Sequence, residues 1–299
     1  MHLKQVALGA DQLESPYRVA VRIQMPVRIV QSKQNARLKE LRRALRSPER
    51  REGGLIGIEG PNLLEEAIRA GLRFRYLFIS DGAGFFYPPS SKRQFENCET
   101  LAVPQEILNS ALETETPQPG AALVEPPDWT WAHLQGDRAA PALLVVLAGL
   151  QDPGNLGTIL RSAEAFGANG VISLPGTVSP WNQKVMRASA GSVFRLPVIQ
   201  AGVDECFARL KEAGVQVLTT AVRDATPADA VDFSRPTALL IGNEGGGVPE
   251  EIAARAGGAV TIPCPGPVES LNASVAAGVL LYEASRQRRA GHGFPKRKG

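Results

Sequence analysis

The chain has 299 residues, of which 43% are hydrophobic and 21% are charged, the composition of an ordinary folded protein. It contains no run of about 18 apolar residues and no signal-peptide pattern at its start, so the sequence predicts neither a membrane span nor secretion. The three cysteines, Cys98, Cys206 and Cys264, have neither metal-ligand nor disulfide spacing, which favours a reducing, cytoplasmic setting.

The net charge of +3 is unevenly distributed. Residues 31–51 contain eight basic and two acidic residues, and residues 284–299 contain six basic residues and no acid. The rest of the chain is therefore acidic overall. Either basic segment alone is typical of a solvated helix face or a soluble tail, but together they indicate an electrostatic footprint for a polyanion.

The first half of the chain predicts a small α/β domain over residues 28–125. Helical spacing of apolar residues predicts three helices, at residues 35–45, 61–70 and 104–112. Short apolar runs predict three strands, at residues 55–58, 76–79 and 100–103. Residues 1–27 precede this domain as an extension open to disorder, and the proline-rich residues 126–141 follow it as a linker.

From residue 142 to residue 290 strands and helices alternate, and a basic tail follows at residues 291–299. The predicted strands are at residues 143–147, 170–174, near 197, 215–221, 238–241 and 259–262. The predicted helices are at residues 156–166, near 182–190, at 203–213 and from 271 onward. This alternation predicts an α/β fold with a mainly parallel sheet and helices on both faces.

Polar residues gather where three of these strands run into flexible loops. Asn155 and Arg161 follow the first strand, Glu244 lies in a glycine-rich loop, and Ser270 and Asn272 open the last helix. Each has an ordinary structural interpretation as a helix cap, a surface ion pair or a solvated turn. Their joint occurrence favours a ligand site, because ligands in open α/β sheets bind at the carboxyl ends of strands.

Other site chemistries are poorly supported by the sequence. His2, His133 and His292 lie outside every motif, so we expect neither an imidazole base nor a metal site. The loop after the first large-domain strand lacks the G-x-G-x-x-G fingerprint of a dinucleotide-binding oxidoreductase and the G-K-S/T of a P-loop.

Three segments resemble the motifs of the SpoU (TrmH-like) RNA ribose 2′-O-methyltransferases of the SPOUT superfamily. They are NLGTILRSAEAFGA from Asn155, IGNEGGGVP from Ile241 and IPCPGPVESLNASVAAGVLLYE from Ile262. The segments QSKQNARLKEL and IEGPNLLEEA resemble the ribosomal-protein-like substrate-binding module often attached to these enzymes.

The resemblance implies a C-terminal trefoil knot, a homodimer and S-adenosylmethionine as the methyl donor, with no metal. It implies that backbone groups of the knot loops hold the cofactor, at Thr220, Gly242, Ile262 and Leu271. It implies that five other residues carry the catalysis, namely Arg161, Asn155, Glu244, Ser270 and Asn272. Since an arginine is a poor general base, we expect Arg161 to grip a phosphate and position the ribose.

The resemblance therefore implies methyl transfer to a ribose 2′-hydroxyl of structured RNA, most simply ribosomal RNA. A transfer RNA substrate and a non-catalytic RNA-binding protein of the same fold are the alternatives. We expect both basic segments to contact RNA phosphates. The methylated nucleotide cannot be read from these residues, because proteins recognise RNA by its shape and its unstacked loops.

Overall fold

The computed structural model describes residues 21–22, 27–46, 54–81, 86–87, 89–114, 116, 118–135, 141–268 and 270–290. The chain forms two compact units, one comprising Met1–Pro127 with Trp181–Gln183, the other Asp128–Pro180 with Lys184–Gly299. Most of the extension at 1–27, the basic residues Arg50 and Arg51, and the tail at 291–299 lie outside the described residues.

The smaller unit is built on a mixed five-stranded sheet. Its strands are β2 (Val27–Ile29), β3 (Ile56–Glu59), β4 (Phe74–Ser80), β6 (Glu99–Val103) and β7 (Gly120–Val124), while β1 (Val21–Arg22) and β5 (Phe86–Tyr87) pair separately. The sheet order is β2-β6-β4-β7-β3, with β2, β6 and β4 parallel and β7 antiparallel to both its neighbours. The three predicted strands are confirmed, whereas β7 was not predicted.

Three helices accompany this sheet, α1 (Ala36–Arg46), α2 (Pro61–Arg69) and α3 (Gln105–Asn109). α1 begins after Asn35, whose side-chain oxygen accepts a hydrogen bond of 2.8 Å from the Arg37 N–H. Its apolar residues Leu38, Leu41 and Leu45 are fully buried, so the opposite face of the helix presents its basic residues outward.

Among its described residues, the larger unit has seven strands and five α-helices. The strands are β8 (Leu143–Leu147), β9 (Gly170–Ser173), β10 (Val198–Gln200), β11 (Gln216–Thr220), β12 (Thr226–Pro227), β13 (Thr237–Ile241) and β14 (Gly258–Thr261). The helices are α4 (Pro153–Ala165), α5 (Gln183–Ala188), α6 (Val203–Glu212), α7 (Glu250–Ala253) and α8 (Ala273–Ala290). The sheet order is β10-β9-β8-β13-β11-β14-β12 and every described pairing in it is parallel, which confirms the predicted parallel sheet.

Alternate residues of the central strands are buried on opposite faces of this sheet. Leu144 and Val146 of β8 belong to a cluster that includes Phe207 and Leu210 of α6 and Ile252 of α7. On the other face α4 and α8 pack against each other, and α8 also contacts β13. Helices thus cover both faces, as the continuous apolar strands require. None of the described helices combines the length and apolarity needed to cross a bilayer.

Two of the predicted helices, α4 and α8, begin more than one residue away from the predicted start. α4 starts at Pro153 rather than at 156, because proline suits the first helical position and Asp152 accepts from the Asn155 N–H at 2.7 Å. The interpretation of Asn155 as a cap is therefore wrong. α8 starts at Ala273 rather than at 271, and its cap is Asn272, which accepts from the Ser274 N–H at 2.9 Å.

Hydrogen bonds attach the carboxyl-terminal part of α8 to the residues that precede β8 and to those that precede β13. The Arg288 guanidinium donates to the carbonyls of Pro141, Ala142, Phe233 and Arg235 at distances of 2.5–3.1 Å. Gln287 donates to the Val231 carbonyl at 3.0 Å and accepts from the Phe233 N–H at 2.9 Å. Burial lowers the pKa of Arg288, but these carbonyls supply the partners that a half-buried cation needs.

We expect Arg288→Ala to lower the free energy of unfolding by about 2–4 kcal/mol, because it leaves several carbonyls without a donor. Urea denaturation followed by circular dichroism measures this loss. The control is Arg286→Ala, which removes an exposed arginine paired with Glu283 on the same helix and should leave the midpoint unchanged. Equal midpoints for the two variants would contradict the anchoring role of Arg288.

Candidate active site

The carboxyl ends of four adjacent strands bring the predicted site residues to one edge of the large sheet. β8, β13, β11 and β14 are neighbours and parallel, so their carboxyl ends share that edge. β8 leads to Asn155, β13 leads to the glycine-rich loop with Glu244, β11 ends at Thr220, and β14 leads to Ile262. This edge is where ligands bind in open α/β sheets.

Asn155 and Glu244 are in direct contact. The Asn155 side-chain amide donates to the Glu244 carboxylate at 2.9 Å, and the Asp152 N–H donates to the same oxygen at 3.3 Å. Asn155 is buried, whereas Glu244 is exposed. The amino end of α4 therefore holds one carboxylate oxygen of Glu244 by hydrogen bonds, and the other oxygen remains available to a ligand.

The glycine-rich loop after β13 is held by its own backbone. The Asn243 side-chain oxygen accepts from the N–H groups of Gly245 and Gly246 at 3.1 and 2.6 Å. The backbones of Asn243 and Gly247 exchange two hydrogen bonds. A Cβ atom on Gly242 would lie 1.9 Å from the Gly247 carbonyl carbon, so only glycine permits this close backbone approach.

Arg161 lies on the exposed face of α4 with Thr158. Within the described residues, no hydrogen bond or ion pair engages its guanidinium. The Thr158 hydroxyl donates to the Gly154 carbonyl at 2.9 Å, so it is occupied within the helix. Arg161 is thus a cationic side chain of α4 that is available to bind an anionic group.

Three further predicted site residues, Thr220, Ile262 and Leu271, lie around this edge of the sheet. The Thr220 hydroxyl donates to the Leu240 carbonyl at 3.1 Å, which links β11 to β13. Ile262 and Leu271 are half-buried and supply apolar walls, and the Cys264 thiol donates to the Ile262 carbonyl at 3.3 Å. Apolar walls with main-chain donors and acceptors are what an adenine ring requires.

Ser270 and Asn272 have different surroundings. The side-chain oxygen of Asn272 accepts from the N–H groups of Ser274 and Val275 and from the Ser274 hydroxyl, so it is occupied in capping α8. Its amide nitrogen remains a donor. Ser270 is exposed, and no hydrogen bond of its side chain occurs among the described residues.

Cys264 is the thiol beside this edge, whereas the other two cysteines are buried. Burial raises the pKa of Cys98 and Cys206 to about 12, so both remain protonated near neutral pH. No three His, Cys, Asp or Glu side chains of the described residues are grouped to hold a metal ion. The polar groups at the edge are the carboxylates of Glu244 and Asp152, the Arg161 guanidinium, the Cys264 thiol, amides and hydroxyls.

Two family models match the chain. Residues 142–282 match the SpoU rRNA Methylase family, and residues 35–122 match an MRM3-like substrate binding domain. The chain is 32% identical to the 23S rRNA (guanosine(2553)-2′-O)-methyltransferase RlmP of Bacillus subtilis, over 85% of this chain and 97% of the relative. The chain belongs to the SpoU rRNA methylase family.

Solved structures of this family are similar over both units. An AdoMet-bound rRNA methyltransferase from Sinorhizobium meliloti is 30% identical with a TM-score of 0.74 and covers 87% of this chain and 98% of its own. The SpoU methyltransferase AviRb from Streptomyces viridochromogenes, in complex with AdoMet, is 29% identical with a TM-score of 0.73 and covers 85% and 98%. The protein is an RNA 2′-O-methyltransferase that uses S-adenosylmethionine.

The residues at the edge fit this cofactor. Main-chain groups around Gly242 and Ile262 would be the ones to contact its adenosine, beside the half-buried apolar side chains of Ile262 and Leu271. Sequence reasoning missed one contributor, Asp152, which both caps α4 and donates its N–H to Glu244. Its signal was the pair Asp-Pro, typical of a helix start.

We expect Gly242→Ala to lower the free energy of unfolding by at least about 2 kcal/mol and to weaken S-adenosylmethionine binding, because the added methyl group collides with backbone. Thermal denaturation and titration calorimetry measure the two effects. Gly245→Ala is the matched control in the same loop, since its Cβ meets nothing within 4 Å. If both variants bind the cofactor with the affinity of the wild type, the close backbone approach at Gly242 is not needed for cofactor binding.

Proposed function

We propose that this enzyme methylates a ribose 2′-hydroxyl of large-subunit ribosomal RNA. The observation that carries the proposal is Arg161, which is exposed on α4 and has no hydrogen-bond or ion-pair partner among the described residues. The first turn of the same helix positions Glu244 through the Asn155 side chain. Ribosomal RNA is favoured over transfer RNA because the relative RlmP, matched over nearly its whole length, is named for 23S rRNA. The cytoplasm is the proposed compartment because it contains this substrate.

In the proposed mechanism Arg161 positions the RNA. S-adenosylmethionine, when bound, would supply an electrophilic methyl group for the ribose oxygen, and the hydroxyl proton would pass to water. The planar, cationic fork of the Arg161 guanidinium suits a phosphate group. Fixing the phosphate next to the reacting ribose places the hydroxyl oxygen in line with the methyl group.

Glu244 and the other polar residues act around this centre. Because Asn155 and Asp152 fix one oxygen of Glu244, the second oxygen is the acceptor that can take a ribose hydroxyl or a cofactor ammonium. Asn155 is thus a positioning residue for Glu244. Ser270 and the Asn272 amide nitrogen are assigned to the methionine end of the cofactor or to the ribose.

We assign the cofactor's adenosine to Thr220, Gly242, Ile262 and Leu271. Gly242 offers backbone without a side chain, Ile262 and Leu271 offer half-buried apolar surface, and Thr220 joins the two central strands beneath them. Thr220 ends β11, Gly242 and Ile262 directly follow β13 and β14, and Leu271 precedes α8. A cofactor held in this way would stabilise the loops that bind it.

We further propose that the chain from β11 to α8 forms a trefoil knot. Two features support it: β13 and β14 lie on opposite sides of β11, and α8 then returns to contact α4 and β13. Gln287 and Arg288 attach α8 to residues 231–235, which precede β13. Tracing of the chain in an experimental electron-density map tests the topology.

The smaller unit is proposed as the substrate-binding domain, over residues 28–125. Its match to a substrate-binding model supports this assignment. The exposed residues Lys39, Arg43 and Arg46 of α1 recur at helical spacing, and no ion pair within the described residues engages them. Such a row of free cations suits the phosphates of an RNA strand. Methyltransferase chemistry is assigned to residues 142–290.

A homodimer is proposed through α8. Val275, Val279 and Tyr282 recur at helical spacing on one face of this helix and are 40–50% exposed. Tyr282 packs edge-on against Phe166 at 5.8 Å, so the apolar face adjoins the end of α4, the helix that carries Arg161. A second copy covering this face would bury the apolar row and bring two sites close together.

We expect Val279→Glu to convert the dimer into a monomer, because it buries an unpaired charge in the proposed interface. Sedimentation equilibrium measures the mass of the particle. Ile29→Glu is the control, since it places the same charge at another aliphatic residue, 60% exposed on β2. A monomeric wild type, or a Val279→Glu variant that remains dimeric, contradicts the assignment.

Incubation with methyl-labelled S-adenosylmethionine and RNA from a strain lacking the enzyme should label one 2′-O-methyl nucleotide in the large-subunit rRNA fraction. We expect Arg161→Ala to lower kcat roughly 100-fold or more, the usual cost of losing one positioned charge. Arg161→Lys should retain part of the RNA affinity and lose most turnover, because it cannot form the planar fork.

The matched control is Arg209→Ala, which removes an exposed cation of α6 on the other face of the large sheet and should leave kcat unchanged. Label confined to a base would contradict ribose methylation. Label confined to transfer RNA would replace the proposed substrate. Full turnover by Arg161→Ala would end the assignment of Arg161.

A further inference from the structure

The smaller unit has a groove that lies beside α1 and beside one end of the strands of the five-stranded sheet. Its volume is about 670 Å³, and its lining includes Glu40, Leu55, Arg75, Tyr76, Glu99 and Glu125. These residues come from α1, from the chain before β3, from β4, from β6 and from the end of β7. The groove is therefore built from elements distant in the sequence and combines an aromatic ring with three carboxylates.

Next to the groove, Arg37 and the groove residue Tyr76 form a stacking surface. The Arg37 guanidinium lies over the Tyr76 ring, 4.4 Å from its centroid. Glu40 accepts from Arg37 at 3.1 Å, which fixes the guanidinium in that position. The ring covers one face of the guanidinium and leaves the other outward. Unstacked RNA bases bind on aromatic rings and on guanidinium planes of this kind.

The carboxylates of the groove differ in how fully they are engaged. Glu40 is bound to Arg37, and Glu125 accepts from Arg75 at 2.6 Å. Glu99 meets Arg28 through a single contact of 3.4 Å, and the Arg28 side chain is 69% exposed. Among the three, Glu99 thus keeps the most accepting capacity for a ligand.

The chemistry of this lining selects its ligand. Glu40 and Glu125 are paired with Arg37 and Arg75, so the free accepting capacity of the groove comes from Glu99, which can take hydrogen bonds from the amino groups of adenine, cytosine or guanine. Uracil has one ring N–H, and its two carbonyl oxygens would face the carboxylates. The free cations Lys39, Arg43 and Arg46 lie on α1, which also supplies Glu40, so phosphates can be held next to the groove.

We propose that this groove binds an unpaired, amino-bearing nucleobase of the RNA substrate, stacked on Arg37 and Tyr76 and read by Glu99. The proposal rests on the proposed function, since it assigns part of the RNA to the substrate-binding unit. It makes this unit a reader of base identity in addition to a phosphate-binding surface. Uridine at that position of the RNA is disfavoured.

The test uses the full-length protein and short fluorescent single-stranded oligoribonucleotides of A, C, U or mixed G/A composition. Fluorescence anisotropy should give the weakest binding for U, by on the order of tenfold. Glu99→Gln should bring the four affinities to within about twofold, because an amide both donates and accepts. Glu65→Gln is the matched control, a paired surface carboxylate of α2 that should keep the preference against U.

A second pair of variants tests the stacking surface. Arg37→Gln should weaken binding of the A, C and G/A oligonucleotides more than that of U. Arg69→Gln is the control, because it removes the same charge from an arginine paired with glutamates on α2, outside the lining of the groove. Lys39→Ala should weaken all four oligonucleotides equally, as expected for a phosphate contact.

Two results would overturn the groove assignment: equal affinity of the wild type for all four oligonucleotides, or a Glu99→Gln variant with an unchanged preference. Absence of any oligonucleotide binding would overturn it as well. Methyl transfer to ribosomal RNA is assayed separately on the same wild-type protein. An active enzyme without base preference rejects the groove alone, whereas an inactive enzyme with base preference rejects the proposed reaction alone.

Discussion

The pairing of β13 between β8 and β11 is the constraint on which the large unit depends. Because all three strands are parallel, the loop after β13 must emerge beside the first turn of α4. This juxtaposition allows Asn155 to reach Glu244 across 89 residues of sequence. The same pairing leaves residues 231–235 at the opposite edge, where Gln287 and Arg288 fasten the far end of α8.

Local patterns in the sequence predicted the framework of both units. The run LLVVL at β8 is apolar throughout because the strand is buried on both faces, and such runs indicate a central parallel strand. The start of α4 was placed three residues late because Pro153 was read as part of a loop, although proline fits the first helical turn. β7 was missed because GAALV carries one β-branched residue, which is a weak strand signal.

The sequence predicts a set of candidate site residues but not their arrangement. Glycine-rich loops after parallel strands indicated the edge, and the family resemblance supplied the roles now proposed. The contact between Asn155 and Glu244, the occupied oxygen of Asn272 and the groove of the smaller unit each depend on elements that meet only in the folded chain. Periodicity reports which face a residue occupies and carries no information about its partner across the sheet.

The unequal surroundings of the three cysteines make the enzyme suitable for site-specific labelling. Cys98 and Cys206 are buried and keep their protons, so thiol reagents react slowly with both. Cys264 is only half-buried and lies two residues after Ile262, in the loop that follows β14. A fluorophore attached there would report on the conformation of that loop without any engineered cysteine.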